Sequence, residues 1–344
     1  MTHSIKMLIL GLTGDCNFAC TYCYASEQPQ KMMTESTART AIDLAAADGE
    51  PFILQLSGGE PLLAFNLIQN IVVYVKEKKI PARLQLQTNG SLITPEIASF
   101  LSREQIAVGV SLDGRPAEND YCRRLKGGGA TSPQIAGGIQ LLAAAGVEIG
   151  FTCVVTKQNV RQLPGIVEMA HYFGNVRKIG FDLLRAHGRG SQVEPAGAKE
   201  LATALDAVLL KKRQLEKITG KRLGFSHTER VDMLARKKCT GFAHCHAMNG
   251  EAAFVDASGK LYACASLSGQ QEFCLGDVRT GLDVHKQLLL GERIKQKMRF
   301  CAQCASFALC GGACFARWQA AKEPDGPYEP ECVLKKAFIS DYEK

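Results

Sequence analysis

Residues 8–26 read LILGLTGDCNFACTYCYAS. The apolar run belongs to a predicted strand, Met7–Leu12, and Gly14 opens a loop after it. Cys16, Cys20 and Cys23 stand on that loop in C-x3-C-x2-C order. Three thiolates so close together can wrap one face of a compact cluster, and iron–sulfur clusters are held by cysteines at such spacings. Three ligands leave one iron of a four-iron cube open, and open coordination marks catalytic metals. A zinc site or chance spacing are the alternatives.

Further strands are predicted at Phe52–Ser57, Arg83–Gln87, Ala107–Leu112, Glu148–Val155 and Lys178–Leu183. Helical patterns lie between them, near Thr34–Ala47, Phe65–Lys79, Thr94–Ser102, Ser132–Ala145 and Leu163–Phe173. Thr94 and Ser132 each read as an N-cap before a proline, and Gly146 as a C-terminal stop. Repeated β-α units mean a parallel sheet covered by helices, either an open doubly wound sheet or a partial barrel. In both, chemistry sits at the C-terminal ends of the strands. Gly14–Cys23, Gly58–Pro61, Thr88–Gly90 and Asp113–Gly114 all follow strands, which points to an enzyme.

The 344 residues suggest two domains, and the 14 cysteines fall short of disulfide-scaffold density, roughly 8% or more. No apolar run reaches the ~20 residues of a spanning helix, and no secretion signal precedes the first strand. The expected compartment is therefore reducing and cytoplasmic, where clustered cysteines bind metal or do redox work. The net charge of +7 concentrates in Lys211–Lys238, with ten Lys/Arg against three acids. A solvated helix face is the plain reading, and docking of an acidic peptide the sharper one. Nucleic acid is not expected, because interleaved aromatics for base stacking are missing. Lys126-Gly127-Gly128-Gly129-Ala130-Thr131 lacks the order of a phosphate loop and reads as a flexible loop at the site's mouth.

With Tyr22 before its third cysteine, CNFACTYC closely resembles the signature of the radical S-adenosylmethionine (SAM) superfamily. Ser57-Gly58-Gly59-Glu60-Pro61 resembles that family's glycine-rich turn after the second strand, where Glu60 would balance the SAM ammonium. Gln87-Thr88-Asn89-Gly90 and Ser111-Leu112-Asp113-Gly114 resemble the next two strand-end motifs. The resemblance implies SAM contacts from Tyr22, Gly58, Gly59, Glu60, Pro61, Asn89, Ser111 and Val155. It also implies a 5′-deoxyadenosyl radical that abstracts hydrogen from a substrate.

Nine cysteines follow Lys238. Cys245-x13-Gly259-x4-Cys264, then Cys301-x2-Cys304-x5-Cys310-x3-Cys314, then Cys332, resembles a SPASM domain. This implies an α/β fold, a partial (β/α)6 TIM-like barrel with a C-terminal cysteine-rich SPASM domain. The expected divisions are 1–194 for the barrel, 195–227 for a helical connector and 228–344 for the SPASM domain. The first auxiliary [4Fe-4S] cluster would take Cys239, Cys245, Cys264 and Cys314. The second would take Cys301, Cys304, Cys310 and Cys332, giving three [4Fe-4S] clusters with the SAM cluster. Zinc is the alternative for C-x2-C-x5-C. Cys122, Cys153 and Cys274 are left over.

The family's sulfatase maturases carry an aspartate where this chain has Ala265, so formylglycine formation ranks low. The leading expectation is a maturase acting on a ribosomally made precursor peptide, forming a thioether or carbon–carbon crosslink or an oxidised residue. A small-molecule or tetrapyrrole substrate is the alternative. An electron donor such as flavodoxin or ferredoxin is implied. Because the chain begins almost at its first strand, leader recognition is expected from a separate leader-binding protein or from the enzyme body.

Overall fold

The computed structural model describes residues 4–238, 241–321 and 326–344. Six strands alternate with helices: β1 Met7–Gly11, β2 Phe52–Ser57, β3 Ala82–Thr88, β4 Ala107–Ser111, β5 Ile149–Val155 and β6 Val176–Leu183. They pair in parallel and in chain order. Between them run α1 Glu35–Ala46, α2 Phe65–Glu77, α3 Pro95–Arg103, α4 Pro116–Cys122, α5 Ser132–Ala144 and α6 Pro164–Phe173. Of these, α4 was not legible as a helix.

The strands are not apolar on both faces. In β2, Phe52, Leu54 and Leu56 are buried against the helices, while Gln55 and Ser57 alternate to the inner face. Burying a leucine fully contributes roughly 1.5–3 kcal/mol, so the helix-facing layer holds the structure and frees the inner face for polar groups.

Helix starts follow local chemistry, with one correction. Thr94 caps α3 by accepting the Ile97 N–H. Ser132 is not an N-cap but already helical; the backbone N–H groups of Thr131 and Ser132 instead donate to Asp120, at 2.9 and 2.8 Å. A carboxylate from α4 takes the place of the local hydroxyl. Gly146 ends α5 with φ +72°.

Beyond β6 come α7 Ala198–Thr219, the two-residue β7 Gly224–Phe225 and α8 Ser226–Lys237. Many basic residues of this stretch are paired, including Lys211 with Glu168, Lys212 with Glu216, Arg213 with Asp341 and Arg236 with Asp232. That is a solvated helix surface.

A hairpin follows, β8 Ala252–Val255 and β9 Lys260–Tyr262, antiparallel. It is followed by β10 Cys274–Asp277 and β11 Gly281–Leu282. β8 also pairs in parallel with β1, Met7 opposite Ala252, so one eleven-stranded sheet runs from β11 to β7. Among the described residues four helices follow: α9 Val284–Lys297, α10 Phe307–Cys310, α11 Phe315–Ala320 and α12 Glu329–Tyr342. The exposed Leu288 and Leu289 obscure the amphipathic pattern of α9 in the sequence. No helix of the described residues is long and apolar enough to cross a membrane.

Candidate active site

The cysteine loop is tied down at the C-terminal end of β1. Gly59 N–H donates to Thr13 O at 2.7 Å, and Glu60 N–H to Asp15 O at 2.9 Å. A Cβ on Gly59 would stand 2.1 Å from Asp15 O, and one on Gly58 2.3 Å from Thr13 O. Gly58 also has φ +138°. These glycines are required because two backbones touch. From other sides, Ala19 N–H donates to Arg124 O, Thr21 N–H to Cys122 O and Arg189 N–H to Cys23 O. The Lys126 side of the glycine loop joins in by an ion pair with Asp15 at 2.6 Å.

Cys16, Cys20 and Cys23 line one cavity of about 270 Å³. Tyr22, Gly58, Gly59, Asn89 and Ser111 line the same cavity. Glu60, Pro61 and Val155 do not. Val155 is buried because strand alternation turns it toward the helices, and its neighbour Val154 takes the cavity position. Glu60 has no exposed surface; its carboxylate accepts Thr88 Oγ1 at 2.6 Å, Asn89 N at 2.8 Å and Leu62 N at 3.1 Å. Glu60 thus lies outside the cavity lining and braces the turn whose Gly58 and Gly59 line it.

Sulfur chemistry is supported locally. Phe18 N–H donates to Cys16 Sγ at 3.3 Å, and Asn89 Nδ2 stands 3.9 Å from the same sulfur while bonding Asn17 at 2.9 Å. Burial pushes the Cys16 thiol up to about 11, and Cys20 and Cys23 add to the rise. Burial raises Cys20 too, against the pull of Arg123. Thiols held this way bind metal only by releasing protons.

Arg123 and Asp182 line the cavity and were not singled out by spacing; Asp113, already quoted within a strand-end motif, reaches the site through Tyr22. Tyr22 donates its hydroxyl to Asp113, and Arg123 Nη1 donates to the Tyr22 oxygen at 2.6 Å. Arg123 Nε is buried without a partner. Only tertiary contact reveals this, since Tyr22 and Arg123 are 101 positions apart.

The C-terminal cysteines fall into two electrostatic groups. Burial drives Cys245 up to about 12, with Cys264 and Cys314 adding to it. Burial drives Cys332 up to about 11, with Cys301 and Cys310 adding to it. Cys304 acts on Cys301 and Cys310. Cys239 lies outside the described residues. Cys122 and Cys153 are buried away from the cavity, and Cys274 is half-buried on β10.

Among the described residues no three metal-binding side chains converge on one ion-sized point. A four-iron cluster is wider than one ion, and three soft sulfur donors opening into one cavity fit it. The Gly58-Gly59 turn, Asn89 and Ser111 line the same cavity as these sulfurs.

The family model for the radical SAM superfamily matches residues 10–170. The chain belongs to this superfamily. It is 33% identical over 280 residues to the uncharacterized protein MJ0907 of Methanocaldococcus jannaschii, covering 81% of this chain and 90% of that one. It is 28% identical to the Fe-coproporphyrin III synthase of Methanosarcina barkeri, covering 98% and 90%. It is also 28% identical to the mycofactocin maturase MftC of Mycolicibacterium smegmatis, covering 94% and 81%. Among solved structures, anSMEcpe with bound AdoMet superposes with a TM-score of 0.81 at 20% identity, covering 98% of this chain and 96% of that one. Streptococcus suis SuiB bound to S-adenosylmethionine gives 0.71 at 16%, covering 94% and 76%. The partial TIM-like barrel with a cysteine-rich C-terminal region is thus the architecture of this radical SAM enzyme.

Proposed function

We propose that this enzyme modifies a ribosomally made peptide, introducing a thioether or carbon–carbon crosslink or an oxidised residue. The observation that carries the reading is the single cavity shared by the Cys16, Cys20 and Cys23 thiols and the strand-end turns of β2, β3 and β4. When bound, the cluster and SAM supply a 5′-deoxyadenosyl radical that removes a substrate hydrogen. Glu60 holds the Gly58-Gly59 turn and the Asn89 backbone in one orientation. Arg123, buried in the cavity wall with its Nε unpartnered, is the cation suited to the SAM carboxylate. Tyr22 walls the cavity, with its hydroxyl committed to Asp113.

The C-terminal cysteines would hold two further [4Fe-4S] clusters. Cys239, Cys245, Cys264 and Cys314 would serve one, and Cys301, Cys304, Cys310 and Cys332 the other. With all-thiolate ligation they suit electron transfer. The working parts are 1–194 for radical generation, 195–227 as connector and 228–344 for the auxiliary clusters. A reducing compartment such as the cytoplasm, an external donor of the flavodoxin or ferredoxin type and a separate leader-binding protein complete the proposal.

Reconstituted enzyme with SAM and dithionite should release 5′-deoxyadenosine and hold about twelve irons per chain, with about eight in a Cys16/Cys20/Cys23→Ala variant. A four-iron wild type overturns the auxiliary assignment. A second reading, a tetrapyrrole substrate, is favoured by the likeness to Fe-coproporphyrin III synthase over 98% of this chain. Incubation with Fe-coproporphyrin III, and separately with a peptide encoded beside the gene, decides between them by which product changes mass.

A further inference from the structure

The cavity has two unlike rims. Gly58, Gly59, Asn89 and Ser111 follow β2, β3 and β4 on one; Asp182, Arg185 and Arg189 follow β6 on the other. The second rim carries two guanidinium groups, Arg185 near Cys264 and Cys314 and Arg189 near Cys20, and of the two only Arg185 has a carboxylate partner among the described residues.

Asp182 is shared. Its Oδ2 meets Arg185 at 2.6 Å and its Oδ1 meets Arg317 at 2.6 Å. Arg317 comes from α11 and also pairs with the buried Glu331 of α12. Arg185 therefore has half a carboxylate, and that half fixes its direction. Its guanidinium lies 4.9 Å over the Tyr24 ring, and its Nε is buried without any partner. Arg189 donates Nε to Cys20 O at 2.9 Å, which anchors it beside the cysteine loop. Among the described residues no carboxylate lies within 4.0 Å of Arg189. Two oriented guanidiniums thus face one cavity with free N–H donors, and such forks match the planar oxygens of a carboxylate.

SAM does not account for this rim. The amino-acid end of SAM would meet the glycine turn after β2, four strands away in the sheet order, and a separate buried cation, Arg123, lines the same cavity. We infer that Arg185 and Arg189 receive a carboxylate of the substrate, so that the substrate class is a molecule bearing a carboxylate near its reacting hydrogen. A peptide's C-terminal or acidic residue and a propionate side chain share this chemistry. The inference rests on the radical reading of the same cavity.

The test measures binding to the reconstituted full chain in two arms. One compares coproporphyrin III with its tetramethyl ester; the other compares the precursor peptide encoded beside the gene with the same peptide carrying amidated carboxyls. In at least one arm the carboxylate form should bind about tenfold or more tightly, the scale of a charge-assisted hydrogen-bond pair. Arg185→Gln/Arg189→Gln should shrink that ratio to about twofold or less, and Arg189→Lys should restore part of it. Arg189→Gln alone, at an exposed position outside the Asp182–Arg317–Glu331 network, gives the same reading where the double variant folds poorly. Equal binding in both arms, a ratio that survives the variants, or a fall in SAM affinity as large as the fall in probe affinity each overturns the inference. Absence of 5′-deoxyadenosine from the wild type with SAM and dithionite is a separate result, which removes the radical reading itself.

Discussion

Thr88, at the end of β3, donates its hydroxyl to Glu60 Oε1 across 2.6 Å, within the turn after β2. With Asn89 N–H on Oε2 and Leu62 N–H on Oε1, the carboxylate joins two strand ends and sets where Asn89 meets Cys16. Burial raises the Glu60 pKa, and the bonds from Asn89, Thr88 and Leu62 oppose that rise. Glu60→Ala strands three buried donors and should cost roughly 2–5 kcal/mol, against about 1–2 kcal/mol for Thr88→Val. Urea titration measures both. SAM binding should be lost in Glu60→Ala while auxiliary iron remains; unchanged SAM binding would show that this bracket does not govern the site.

Gly59→Ala should separate the first cysteine group from the others. The new Cβ meets Asp15 O at 2.1 Å, and neither backbone can yield without moving the loop that carries Cys16. Iron analysis should show loss of about four irons per chain, with the remainder kept. Gly127→Ala, which meets nothing within 4 Å, serves as the control and should keep the full complement.

Arg317 is the buried cation on which Asp182 and Glu331 both depend. Burial alone would raise the pKa of Asp182, but Arg185 and Arg317 outweigh it and hold the carboxyl below its usual range. Arg317→Leu leaves a buried carboxylate pair with too little positive charge and should destabilise the protein by about 3–5 kcal/mol. An unchanged urea midpoint would mean that Lys335, also near Glu331, carries the charge balance by itself.

His227 predicts acid sensitivity. Burial lowers its pKa from 6.5 to about 4, although its Nε2 meets Phe181 O at 2.9 Å. The ring stacks on Phe338 at 4.9 Å and stays neutral in the folded state. The unfolded chain takes up the proton first, so this contribution is complete above pH 6.5 and is lost as pH falls toward 4. The slope is at most about 1.4 kcal/mol per pH unit. His227→Asn should flatten the difference in urea stability between pH 7 and pH 5; an equal slope in both proteins would assign the effect elsewhere.

The barrel was legible where the code is short-range. β2 runs over the predicted residues, because alternation and turn residues act within a few positions. The α4 helix was not legible: seven residues offer too little periodicity, and a distant loop supplies its surroundings.

By itself the sequence determined the order of β-α units, the placing of three cysteines after the first strand and the cysteine-rich C-terminal region. Spacing along the chain is enough for those, since each is read from residue order and periodicity without long-range contacts. Tertiary structure decided that Glu60 is buried outside the cavity lining, bonded to Thr88, Asn89 and Leu62. It also decided that β8 extends the sheet at β1, and that Arg185 and Arg189 meet the cysteine loop. These depend on which distant surfaces can bury apolar area while satisfying every charge and backbone donor, a condition no local pattern encodes.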